Sequence, residues 1–256
     1  MTEQDNQIQT GVSPDEAIEN YIGEQYLVWL LNYITKEVKS WPELALMKAA
    51  HPKVEKIRKF MLQRYLAANA FMGGRDGDPG FLGFAIANLS ESPDPLAEGS
   101  LGILEQKKEE EVGSDKNAHQ ELWLNLLKSL GISSEEIKGA ETKESTRNYV
   151  AELSDLYSTA EWQTTMGAFL AHERAIADEY AAIIEMLKQN TSVASNALEV
   201  LRWSAESDIK YVSNTSHMLE KIMVDPESKR FVWEGVDRQL TASKDFYAQM
   251  LKYLEA

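Results

Sequence analysis

The run Thr164–Lys188 constrains the fold of this chain more than any other stretch. It is long, apolar on one face, and interrupted on that face by a single carboxylate. Met166, Phe169, Leu170, Ile176, Tyr180, Ile183 and Leu187 recur at steps of three and four, which puts them on one side of an α-helix. Glu173 occupies the slot between Phe169/Leu170 and Ile176/Ala177. An ionised carboxylate aimed at a core is costly, so it must be protonated, paired with a cation or bound to a metal. Left without a partner, it would be replaced by leucine with a gain in stability. Arg174 is a poor local partner, because sequence neighbours project about 100° apart on a helix. An arginine or lysine from another helix is the structural alternative to a metal.

Two further helical stripes carry the same kind of interruption. His119 lies on the stripe of Leu122, Trp123, Leu126 and Leu127, and Asp208 on that of Val200, Leu201, Ala205 and Val212. Three metal-competent side chains on three apolar faces point to one buried site. Oxygen and imidazole donors without sulfur suit iron, manganese or zinc. The acidic run Glu109–Glu111 precedes His119 by one short loop and can add a carboxylate. Glu111 continues the face of Ala97, Leu101 and Leu104, while Glu110 continues that of Leu96 and Ile103, and spacing leaves both open. His172 points about 100° away from Glu173 on the same helix, and neither it, His51 nor His217 reads as a further ligand.

The same periodicity runs through the rest of the chain. Ser13-Pro14-Asp15-Glu16 is a helix start, with a serine cap, proline at the first helical position and acid in the first turn. A helix is expected from there to about Ser40, and others over Pro42–Lys48, Pro52–Phe71, Phe81–Leu89, Pro95–Glu111, His119–Leu130, Asn148–Tyr157, Trp162–Leu187, Ala194–Met223 and Arg230–Leu254. Gly131 is the expected C-cap of the helix that begins at His119. The aspartates of the 72–80 loop lack the later ligands of a calcium loop and read as a turn. Strict alternation is absent, so no strand is expected. The reading is an all-α domain of seven to nine helices over residues 13–256, preceded by a disordered tail at 1–12.

Composition excludes several classes. With 41 acidic against 26 basic residues among 256, the net charge of -15 argues against nucleic acid or an anionic membrane as partner. The absence of cysteine removes disulfides, thiolate metal sites and thiol nucleophiles. No apolar stretch approaches the roughly 20 residues of a membrane span. The polar, acidic amino terminus does not read as a secretory signal, so a cytoplasmic protein is expected.

The segment EEEVGSDKNAHQELWLNLLKSLGIS (109–133) resembles a recurring element of the heme-oxygenase-like diiron oxidases and oxygenases. GAFLAHE (167–173) resembles the later helix that supplies their bridging glutamate, and the CADD-like branch is the most similar. HPKVEKIRKFMLQRYLAANAF (51–71) and the closing helix extend the general likeness over most of the chain. The resemblance implies the single-domain bundle with a central cavity shared with TenA, PqqC and heme oxygenase, often dimeric. It also implies iron that activates dioxygen on a small, partly apolar organic substrate. Carried over, Glu111, His119, Glu173 and Asp208 match the family's metal ligands. Where a His-x3-Asp-x2-His helix is expected, this chain has Ser204 and Tyr211 around Asp208. One iron is then expected to bind more tightly than a second, with Tyr211 as a phenolate ligand or redox-active residue. A cofactorless PqqC-like oxidase and a non-catalytic binding protein of the same fold are the alternatives. TenA-type thiaminase chemistry is excluded by the missing cysteine.

Overall fold

Local signals set most helix ends. Ser13 caps the first helix in a capping box with Glu16, and Pro14 occupies the first turn. Gly131 adopts φ 77° after the helix starting at His119, and Ile132 N–H reaches back to Leu127 O at 3.0 Å, a C-terminal stop that a glycine makes easily. In the computed structural model the described residues are 11–73, 79–112 and 119–255, without the side chains of 207, 208 and 255. The tail at 1–10, the aspartate-rich turn at 74–78 and the loop 113–118 lie outside them.

Among the described residues there are twelve α-helices, one 3₁₀ turn and no strand. They are α1 (Pro14–Asn20), α2 (Glu24–Ser40), α3 (Pro42–Ala49), α4 (Val54–Met72), α5 (Gly80–Glu91) and α6 (Pro95–Val112). After them come α7 (His119–Ser129), α8 (Ser134–Lys138), α9 (Glu144–Thr159), α10 (Trp162–Asn190), α11 (Glu199–Leu219) and α12 (Pro226–Glu255). The all-α expectation holds, and the count of seven to nine was too low. Part of the excess comes from one expected helix being two: Tyr21 is extended and Gly23 takes φ 53°, which separates α1 from α2. No described helix is long and apolar enough to cross a membrane.

Helix α10 is the axis of the bundle. It buries residues all round its circumference, including Thr164, Thr165, Gly167, Ala171 and His172 as well as the apolar stripe. A helix covered on every side is a core helix rather than an amphipathic surface one. Its most extensive neighbours are α12 and α11, with α2, α3, α5 and α9 also against it. Two glycines let α10 and α12 approach closely. A Cβ on Gly167 would run into the Val232 carbonyl, and one on Gly235 would strike the Thr164 carbonyl and lie 2.8 Å from Ala168 N. Gly235→Ala is therefore expected to cost about 1–3 kcal/mol through overpacking, read as a lower urea midpoint at unchanged slope.

The start of α10 is tied to α5 and α6, which fixes the site helices against each other. Asp94 accepts from Leu96 N at the head of α6 (2.9 Å) and from the Trp162 indole at the head of α10 (3.2 Å). Asn88 of α5 donates to Ala160 O (2.8 Å) and Thr165 Oγ1 (3.2 Å).

Candidate active site

Glu173 does have a buried cation beside it, and the cation is a lysine. Lys107 of α6 places its ammonium 3.0 Å from Glu173 Oε2 and 3.2 Å from Glu111 Oε1. Lys107, Glu111 and Glu173 are 2, 5 and 1% exposed. Lys107 and Glu111 are four residues apart, one helical turn, so α6 presents both from one face to α10. Burial works to raise the Glu111 pKa, but the charges of His119 and Lys107 outweigh it and bring it down to about 2.

His119, the first residue of α7, sets Nδ1 3.0 Å from Glu111 Oε1. The approach is not aligned as a hydrogen bond, and Nδ1 has no other hydrogen-bond partner among the described residues. Tyr211 of α11 closes the cluster from another side. It is fully buried, its ring lies under the Lys107 ammonium at 4.9 Å, and Phe169 packs on it edge-on at 6.2 Å. Burial, followed by the Glu110 carboxylate, pushes the Tyr211 hydroxyl pKa far above its ordinary value. Tyr211 is thus a protonated phenol in the metal-free protein.

A narrow pocket adjoins the cluster, lined by Lys107, Glu111 and Ser204 together with Arg64, Phe71 and His172. About 20 Å³ of it is open to the centre of a water molecule, room for about one water. His172 stacks on Phe71 with ring centroids 4.2 Å apart. Burial first, and then the charges of Lys107 and Arg64, lower its pKa to about 3, so it is neutral.

Arg64 belongs to a second buried network. Arg64 of α4 donates Nε to Tyr247 Oη (3.1 Å) and Nη2 to Tyr180 Oη (3.2 Å). Its charge partner is Glu179, 3.8 Å from Nη2, and Tyr247 Oη donates to the same Glu179 oxygen at 2.9 Å. Burial raises the Glu179 pKa, with Arg64 and Tyr247 acting in the opposite direction.

Three of the four expected ligand residues therefore lie in or beside one cluster: Glu111, His119 and Glu173. Between the two open glutamates, Glu111 is the buried one. Glu110 is half-buried and pairs with Lys210 at 3.3 Å. The backbone of Asp208 is helical within α11, but its side chain lies outside the described residues. Among the described residues no three His, Cys, Asp or Glu side chains converge closely enough to hold a metal. Spacing explains this, since oxygens around an ammonium sit at about 2.7–3.2 Å, whereas a transition metal draws ligands to about 2.0–2.2 Å. The donor chemistry still suits a metal. Glu111, Glu173 and His119 are oxygen and imidazole donors of the kind iron takes, gathered in one buried cluster.

Lys107, His172 and Arg64 were not among the expected site residues. Lys107 was legible in principle, because it falls on the Ala97, Leu101, Leu104, Glu111 face. His172 was not, because nothing local shows that both faces of α10 are covered.

An all-helical bundle whose central helix carries a buried acid, with a pocket beside it, defines the class. A profile of the TENA/THI-4/PQQC family matches residues 46–223, and the chain belongs to that family. It is similar to a 4-aminobenzoate synthase of Chlamydia pneumoniae, 27% identical over 153 residues that cover 60% of this chain and 67% of that protein. A solved CADD-like protein from Nostoc punctiforme superposes with a TM-score of 0.73 at 14% identity, covering 90% of this chain and 99% of that one. A TenA homologue from Pseudomonas syringae pv. tomato gives 0.67 at 10% identity, over 94% and 96% of the two chains. A heme-oxygenase-like domain from Shewanella denitrificans gives 0.64 at 13% identity, over 90% of each. At these identities the structural likeness is one of fold.

Proposed function

We propose that this chain is a non-heme iron oxidase or oxygenase acting on a small, partly apolar organic substrate. The observation that carries the reading is a buried chain of contacts between three helices, in which the Lys107 ammonium holds Glu173 and Glu111 and Glu111 in turn holds His119. Glu111 and Glu173 would supply oxygen ligands and His119 the nitrogen, with Asp208 as a further oxygen from α11. Bound iron would supply the one-electron chemistry that lets dioxygen react with an organic substrate. The protein's own groups do the rest. Glu173, sealed in the core, holds the ligand set away from bulk water. Tyr211 keeps a proton on Oη beside it, available to a reacting oxygen. Phe71, Met72, Ala67, Ala68 and Ile176 give the pocket apolar walls, and Arg64 gives it a polar end. A substrate larger than a water enters by displacing wall side chains. The name of the Chlamydia pneumoniae relative attributes a small aromatic product to that protein, and Phe71, Trp123 and Tyr180 would give a substrate of that class aromatic walls here once the pocket opens.

One observation favours a second reading, the cofactorless oxidase: Lys107 already supplies a positive charge to both carboxylates. Elemental analysis of protein from iron-supplemented cells separates the two, followed by anaerobic ferrous loading and an oxygen pulse. The iron reading expects about one tightly bound iron, lost in Glu173→Gln, and a spectral change with oxygen uptake. Equally negligible metal in both proteins sinks it. Oxygen uptake with a substrate but without iron would establish the cofactorless reading.

A further inference from the structure

We infer that Lys107 is a built-in competitor for the metal: its ammonium holds the cation position in the metal-free protein, and metal loading requires it to turn out. The inference rests on the iron reading above and concerns how that site is filled. Lys107 is within 3.2 Å of both carboxylates expected to bind the metal. A divalent ion and an ammonium cannot share that point, because their repulsion in a poorly solvated interior is large. The lysine has somewhere to go. Its side chain already lines the pocket, where there is room for about one water, and the Tyr211 ring face lies 4.9 Å from its nitrogen.

The device also accounts for an oddity of α11. Ser204 and Tyr211 stand where the family resemblance calls for two imidazoles. With serine and tyrosine there, no imidazole comes from those two positions, and Glu111 and Glu173 both face the Lys107 nitrogen. An ammonium on α6 neutralises the two carboxylates when no metal is present, and its four-carbon stem makes it removable. An exchange of this kind makes the metal-free protein stable and metal binding weaker than the ligands alone would give.

The test compares wild type with Lys107→Met, which keeps length and loses the charge. Anaerobic equilibrium dialysis with ferrous iron, repeated with manganese(II), gives the dissociation constants, and thermal melts give stability with and without metal. Lys107→Met is expected to bind metal at least tenfold more tightly. It should melt lower than wild type when metal-free and gain more on metal addition. Equal affinities in the two proteins overturn the inference and leave the iron reading standing. Absence of binding in both overturns the ligand set and the inference together. If Lys107→Met does not fold, Lys107→Gln, polar and of similar reach, takes its place in the dialysis and the melts. It too should bind metal more tightly than wild type, and equal affinity overturns the inference.

Discussion

Glu173→Leu is expected to destabilise the metal-free protein by about 3–5 kcal/mol, the cost of breaking a buried ion pair from one side. Taken from the sequence alone, Glu173 is an unpaired charge in an apolar stripe, and leucine should improve the core. The Lys107 contact at 3.0 Å reverses that sign. Leucine leaves the ammonium with Glu111 as its close carboxylate and a gap on the α10 side. Glu173→Gln keeps the volume and an acceptor for Lys107, so its loss should be smaller. Urea unfolding of the three proteins, stripped of metal, orders them wild type, Gln, Leu. For a chain of this size each kcal/mol lost lowers the melting temperature by about 2–4 °C. A leucine variant as stable as wild type would mean that Lys107 and Glu173 do not pair in solution.

Arg64→Met is expected to cost a similar amount, about 3–5 kcal/mol, because it strands Glu179 in the interior. The guanidinium also orients two hydroxyls, Tyr180 and Tyr247, and lies over the Tyr180 ring at 5.1 Å. Its loss therefore loosens the contact between α4, α10 and α12 as well as removing a charge. Adding Glu179→Leu should recover part of the loss, since a pair replaced on both sides by apolar groups is often tolerated. A double-mutant cycle measures this coupling. If the double variant is destabilised by the sum of the single changes, Arg64 and Glu179 are energetically independent and the network is held by the tyrosines.

Both predictions depend on partners that come from distant helices, and this is where sequence reading and structure part. Lys107 and Glu173 are 66 residues apart. Arg64 and Tyr247 are 183 apart. Each of the four sits in a helical register that can be read locally, but no local pattern states which stripe faces which.

What the sequence by itself determined was the class of fold, several helix ends, and the fact that Glu173 needs a partner. The 3.6-residue period is a property of each segment alone, so the all-α reading needed no tertiary information. The Ser13 cap and the Gly131 stop are likewise local, made by side chains and backbone within a few residues. The division of the first helix at Gly23 was missed, because the apolar pattern runs on from Ile18 through Tyr21 and Ile22 while the backbone turns. Tertiary structure alone decided that α10 is covered on every side, which buries His172 although it points away from the stripe. It also decided that Lys107 is a partner of Glu173. A buried charge is visible in a sequence as a break in a pattern. The group that neutralises it is fixed by helix packing, which joins residues the chain keeps far apart.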